Sequence, residues 1–450
     1  MKKLTTLIFV FCILSSFNFK NTPERTKLTG FLYTTTNGEG MNQVIKLDRY
    51  SDGSLDNETA YSTNSKGGAN TAAGGDAKGD FDAQNAIQII GNYLLNVNAG
   101  GNTISIFAIN KSNGNLRFKR NVNSGGERPV SIAYTKKKGS RNSFWVVVGN
   151  QWNNPNVQKD GANIERYPND AFHAADLTRP HDSDAVRNIA LFSFNASTGK
   201  LTQERVLDTY VRANGGPTCV SFSDDGTKLA VSTWGITHFS TEVTSLEEQR
   251  PSRLYVYDFQ NGSISGERYF EEDGIAGSIG FNWAKGNNSI MHVSNFNLVP
   301  AKRNFSLTVL KDTGSSVAKV GNFNTASLGD IDEACWTLLN PAGDKLYVAS
   351  FGANVISSFN VHRSGNIASN IGATARGDNS PAGDTKDMYI SSDNKYLYTL
   401  GAFQSFSINR FDISPSGDLV YRAQVPLTTT KASIGQAGTY NFLGLAGYDL

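Results

Sequence analysis

WTLLNPAGDKLYVASFGANVISSFNVHRSGNI, residues 336–367, reads as three short strands joined by tight turns. The run WTLL ends in NPAGD, the β-rich LYVAS follows, and FGAN leads into VISSFNV before RSGN turns the chain again. Runs of five to seven apolar, β-branched and aromatic residues bounded by Gly, Asn, Asp and Pro are strand signals, and such turns join antiparallel neighbours.

The same arrangement recurs outward in both directions. It appears as FLYTTTNGEGMNQVIKLDRYSDGSL from Phe31 and NYLLNVNAGGNTISIFAINKSNGNL from Asn92. SFWVVVGNQW from Ser143 goes with NIALFSFNASTGKL from Asn188, and KLAVSTWG from Lys228 with RLYVYDFQNGSI from Arg253. SIMHVSNFN from Ser289 goes with FSLTVLKDTG from Phe305, and KYLYTLGAFQSFSINRFDISPSGDL from Lys395 is the last copy. Seven copies at intervals of roughly 50 to 85 residues mean a radial or stacked array rather than separate domains.

A further apolar run precedes copies two to seven: AIQIIGN, VSIAYTKKKG, CVSFSDDG, IGFNWAKGN, WTLLNPAGD and MYISSDNK. These are the expected innermost strands, and a weaker fourth strand such as RFKRNV or LVYRAQV closes each repeat. Copy one lacks its inner run, but NFLGLAGYDL from Asn441 supplies one at the other end of the chain. The reading is an all-β, seven-bladed β-propeller with four antiparallel strands per blade. The C-terminal strand completes blade one, which removes the two open sheet edges. One domain over 27–450 is expected.

Inner strand, D-G turn, L-Y-V-A strand and V-x-x-F strand together resemble the lactonase-type seven-bladed propellers, among them 6-phosphogluconolactonases and carboxymuconate cyclase-like enzymes. The stretches that carry the resemblance are GPTCVSFSDDGTKLAVSTWG from Gly216, NPAGDKLYVASFGANVISSFNV from Asn340 and NAGGNTISIF from Asn98. The resemblance implies a hydrolase of a lactone or similar small cyclic ester. Relatives of that type tend to carry Arg and His after G-P on an inner strand, whereas Thr218 and Cys219 follow Gly216 and Pro217 here. No His lies on an expected inner strand, and the Arg128 of ERPVSIAY precedes its Pro. A non-catalytic ligand- or protein-binding scaffold is therefore the alternative function.

Strand direction alternates within a blade, so loops sort by parity. First-to-second and third-to-fourth turns share one face and are short. Second-to-third loops and the links between blades share the other, and they include the insertions 151–187 and 235–252. Loops displayed on a rigid scaffold are where binding groups gather. The channel mouth on that face is expected to be lined by the starts of inner strands (Asp82, Gln84, Arg128, Glu333, Lys386, Asp387) and the ends of second strands (Asn98, Asn150, Trp152, Trp234). Opening a lactone needs a base for water and a cation facing the oxyanion. Glu333 or Asp82 suits the first role, Arg128 or Lys386 the second. Asn98, Asn150, Trp152, Trp234, Lys386 and Asp387 are the candidate substrate contacts, and charge pairing that merely closes the inner ring is the structural alternative.

Charge excludes one partner class. Lys plus Arg is 42 against Asp plus Glu at 40, with no basic stripe to follow a phosphate backbone, so nucleic acid is not an expected partner. Lys136, Lys137 and Lys138 fall in a hairpin turn. Lys2 and Lys3 before the apolar stretch 4–19 read as a signal peptide over residues 1–20, too short for a comfortable span, so the expected chain is secreted, periplasmic or extracellular, and a monomer. The insertion FHAADLTRPHDSD holds His173, Asp176, His181, Asp182 and Asp184, in spacings that match no metal site; neither metal nor cofactor is expected. Cys219 and Cys335 fall at equivalent inner-strand positions of blades four and six, which are not neighbours, and two free, buried thiols are expected.

Overall fold

The computed structural model describes residues 26–38, 41–68, 83–151, 157–158, 187–210, 215–235, 238–239, 251–296, 305–325, 333–402, 404–428 and 442–450. Seven four-stranded antiparallel sheets are present. Their innermost strands are Leu443–Asp449, Ile87–Ile90, Pro129–Lys136, Pro217–Phe222, Phe281–Trp283, Ala334–Leu339 and Thr385–Ile390. These pack side by side in that order, and the seventh meets the first. The fold is a seven-bladed β-propeller.

Burial explains why the repeats read as they do. Second strands are covered on both faces by neighbouring blades, so LYVAS and WVVVGN are near-continuous in apolar and small residues. Tyr347, Val348, Val146 and Val147 are wholly buried. Fourth strands such as Lys200–Thr209 form the rim and are largely exposed. One buried carboxylate is paired between blades. Asp312, whose side chain has no exposed surface, accepts from Arg268 Nε and Lys228 Nζ, each at 2.5 Å, and these contacts join blades four and five.

Closure follows the expected route. Leu443–Asp449 pairs antiparallel with Leu28–Thr35, setting Phe31 opposite Tyr448 and Tyr33 opposite Ala446. Phe442 and Leu443 are buried between blades one and seven or two.

The partition of loops also holds. Turns such as those between Ile390 and Tyr396 or Leu339 and Lys345 are short. The strand ends at Asn150, Asn188, Thr233 and Leu254, which flank the two insertions, lie on the opposite face. These two connections touch: Val157–Gln158 runs parallel to His238–Phe239 as a two-residue ladder. The leader (1–20) and FHAADLTRPHDSD lie outside the described residues.

Both Cys219 and Cys335 are free and buried. They are not equivalent, however. Pro217 and Ala334 pair with Thr233 and Ser350, and the bulged residue that follows is Thr218 in blade four but Cys335 in blade six. One residue of offset turns a side chain to the other face of its strand.

Deleting residues 443–450 removes one strand of blade one and reopens two edges. We expect the shortened chain to lose its cooperative thermal transition. A soluble deletion variant melting in one step near the parent temperature would contradict closure by this strand.

Candidate functional site

The entry to the inner ring is built on a shared irregularity. Blades three, four, six and seven each carry a register shift at the first residues of the inner strand: Pro129/Ser131, Pro217/Cys219, Ala334/Trp336 and Thr385/Met388. Bulges at this point bend the strand and re-aim its side chains. Immediately before two of these bulges, Arg128 and Glu333 take left-handed backbone conformations, φ 55° and 50°. Long side chains rarely do so, at a cost of roughly 1 kcal/mol or more.

The segment 83–85 then crosses the channel. Gln84 Nε2 donates to the Phe281 carbonyl of blade five at 3.2 Å, and its Oε1 accepts the Thr337 amide of blade six at 3.0 Å. The Gln84 main-chain N–H reaches Thr218 O of blade four at 3.2 Å. Ser131 Oγ of blade three donates to Gln84 O at 2.7 Å, and Trp336 Nε1 donates to Ala83 O at 2.9 Å. Asn85 Nδ2 donates to Val220 O at 3.3 Å. Gly280 makes room for this bridge, because a Cβ there would collide with Gln84 Oε1. Three consecutive residues thus tie blade two to blades three, four, five and six.

The sequence-selected residues divide around the bridge. On the long-loop side, Arg128 is held by its N–H to Asn102 Oδ1 at 2.8 Å and is 8% exposed. The Glu333 carboxylate lies against Gly352, where a Cβ would stand 2.8 Å from Oε2. Lys386 is fully buried, with Nζ 5.6 Å from the Trp336 ring centroid and 5.8 Å from that of Phe351. Asn98 and Asn150 are hydrogen-bonded to neighbouring strands and turns, and Asn98 Oδ1 also accepts from Asn42 Nδ2 of blade one at 2.9 Å. Asn98 Nδ2 bonds Ser105 Oγ at 2.7 Å, and Asn150 Nδ2 bonds Ser124 O at 3.1 Å and Asn188 Oδ1 at 2.9 Å. Trp234 packs in the core with Phe296, Ile279 and Trp336. Asp82 and Trp152 lie outside the described residues.

On the short-turn side, Asp387 lines a cavity of about 350 Å3 with Gln84, Asn85, Gln88, Thr337 and Tyr134. Its Oδ1 accepts the Met388 amide at 2.9 Å, and burial pushes its carboxyl up to about 7 against the pull of the Met388 and Leu445 amides. Cys219 lies near enough to feel that charge, and burial pushes its thiol up to about 12. Lys386 and Asp387 are adjacent in sequence but face different surroundings, as neighbours on a strand must. His292 is buried on a second strand against Gly365 O at 2.6 Å, and burial pushes its imidazole down to about 4. Among the described residues no group of three or more His, Cys, Asp and Glu could hold a metal ion, and no helix is long and apolar enough to cross a membrane.

Comparison with known proteins agrees with the fold. Residues 26–157 match the family model described as Lactonase, 7-bladed beta-propeller. The chain is similar to the lactonase-type seven-bladed propellers. A periplasmic gluconolactonase from Pseudomonas aeruginosa superposes with a TM-score of 0.60 at 13% identity, covering 89% of this chain and 97% of that one. A candidate 6-phosphogluconolactonase from Bacteroides fragilis gives a TM-score of 0.56 at 12% identity, covering 94% and 99%. A Lactobacillus plantarum protein gives 0.59 at 13% identity, covering 93% and 99%. No curated protein sequence matches the chain. At these identities the structures speak for the fold. The lactonase-type repeat was legible in the sequence; the Gln84 bridge was not, although a polar side chain at the head of an inner strand was its one visible sign.

Asp387 makes stability depend on pH. Its carboxyl ionises near 4 when unfolded and near 7 when folded, so between those values the native state holds a proton that the unfolded state lacks. Stability contributed by this group therefore falls as pH rises through that window and stays low above it. Asp387→Asn is expected to gain on the order of 3 kcal/mol over the parent at pH 8, shrinking toward zero near pH 4, by urea denaturation. Parallel pH profiles for the two proteins would contradict this.

Proposed function

We propose that the chain is an exported hydrolase of lactones or similar small cyclic esters, with its reactive site at the long-loop mouth of the channel. The observation that carries the reading is the matched pair Arg128 and Glu333. Each stands at the head of an inner strand, in a left-handed conformation that its side chain does not favour. Strain of this kind persists where the surroundings over-determine it, and it concentrates at working sites. The lactonase-type family match over residues 26–157 supports the reaction class.

In this reading Glu333 takes a proton from water as the oxygen attacks the lactone carbonyl carbon. Arg128 and Lys386 face the oxyanion of the tetrahedral intermediate. The ring C–O bond then breaks, the departing alkoxide recovers the proton from Glu333, and a hydroxy acid leaves. Asp82 is the second carboxylate candidate, and Asn98, Asn150, Trp152 and Trp234 are the candidate substrate contacts. An apolar leader after Lys2 and Lys3 sets the reaction outside the cytosol, which favours unphosphorylated lactones over 6-phosphogluconolactone. The bridge at Gln84 favours a second reading, a binding scaffold, because its hydrogen bonds to blades three, four, five and six span the inner ring.

Proton release across a panel of sugar and organic-acid lactones separates the two. The parent is expected to turn over at least one member, with Arg128→Gly and Glu333→Gly each losing 100-fold or more while melting at or above the parent temperature, since glycine relieves the left-handed backbone. Gly352→Ala, whose added methyl displaces the Glu333 carboxylate, is expected to lose activity with little change in melting. No turnover of any lactone by the parent would establish the scaffold reading instead.

A further inference from the structure

The cavity beneath the Gln84 bridge belongs to a different part of the molecule from the long-loop mouth. Its walls come from the later residues of inner strands, including Leu339, Ile390 and Gly447, so it faces the short-turn end. Its charge is one-sided. Asp387 is on the wall, and no Lys, Arg or His is among the lining residues. A second polar group faces the same space: Thr337 is 2% exposed, lines the cavity, and its hydroxyl has no hydrogen-bond partner. Leu338, Ile390 and Leu445 supply apolar surface, and Tyr134, 37% exposed, stands at the rim.

We infer that this cavity binds a small organic ammonium ion, its N–H groups held by the Asp387 carboxylate and the Thr337 hydroxyl and its hydrocarbon part lying against Leu338, Ile390 and Leu445. A carboxylate and a hydroxyl acceptor match an ammonium's several donors. Tyr134 and Tyr389 put aromatic rings in the lining, and such rings attract cations. A hard metal ion wants six or more oxygens and gains nothing from apolar walls. An anion would meet the Asp387 charge unopposed. The volume falls at the lower end of the range for small-molecule pockets. Burial holds the Asp387 carboxyl up to about 7, and a bound cation supplies the counter-charge that the lining itself does not.

This site is independent of the lactone reading, and its test is a direct titration of the full chain. n-Butylammonium chloride added at pH 8 in a calorimeter is expected to bind saturably at one site. Asp387→Asn, which is expected to fold more stably than the parent, is expected to weaken binding tenfold or more. Thr337→Val is expected to weaken it several-fold, sodium butyrate to give no saturable heat, and butanol to bind at least tenfold more weakly. Absence of saturable butylammonium binding to the parent, equal binding to Asp387→Asn, or equal binding of butanol would each overturn the site.

Discussion

Gln84 is a single residue on which four other blades converge. Its amide accepts from blade six and donates to blade five, while its backbone accepts from blade three and donates to blade four. A propeller's inner strands present unpaired backbone groups toward the axis, and buried groups of that kind must find partners. In this chain one segment of blade two satisfies several of them. The consequence is geometric: the channel is divided, and what lies at its two ends must be considered separately.

Above the bridge, bulged strand entries hold Arg128 and Glu333 in unfavourable backbone geometry, with Lys386 buried between aromatic rings. Below it, an acidic, partly apolar cavity has no positive group in its lining. The rigid inner ring is common to both. The strands that flank the insertions 151–187 and 235–252 keep their four-stranded sheets, as a rigid scaffold with loops at one end allows.

Most of the architecture was legible because it rests on local signals repeated seven times: turn residues, β-rich runs and their spacing. Closure was legible from a mismatch, since an inner strand missing before Phe31 stood spare after Asn441. The site was legible only as a list of strand-entry positions. Sequence places Gln84 beside Asp82 as a mouth residue, but its reach to blades five and six depends on ring closure across about 200 residues or more of chain. Nor does sequence reveal bulges, and so the offset between Cys219 and Cys335 and the separation of Lys386 from Asp387 both escaped it. Asn98 and Asn150 stand at strand ends as expected, but sequence did not show their partners: Asn98 bonds Ser105 on the next strand and Asn42 of blade one, and Asn150 bonds Ser124 and Asn188.

The bridge is tested most directly by hydrogen exchange at the Thr337 amide, which donates to Gln84 Oε1. Replacing Gln84 by Ala removes the acceptor without altering blade six itself. Exchange at Thr337 is predicted to accelerate tenfold or more, while the Val348 and Ala349 amides of the adjoining strand keep their protection. Unchanged exchange at Thr337 would mean that Gln84 does not close the channel, and the division into two separate ends would fail with it.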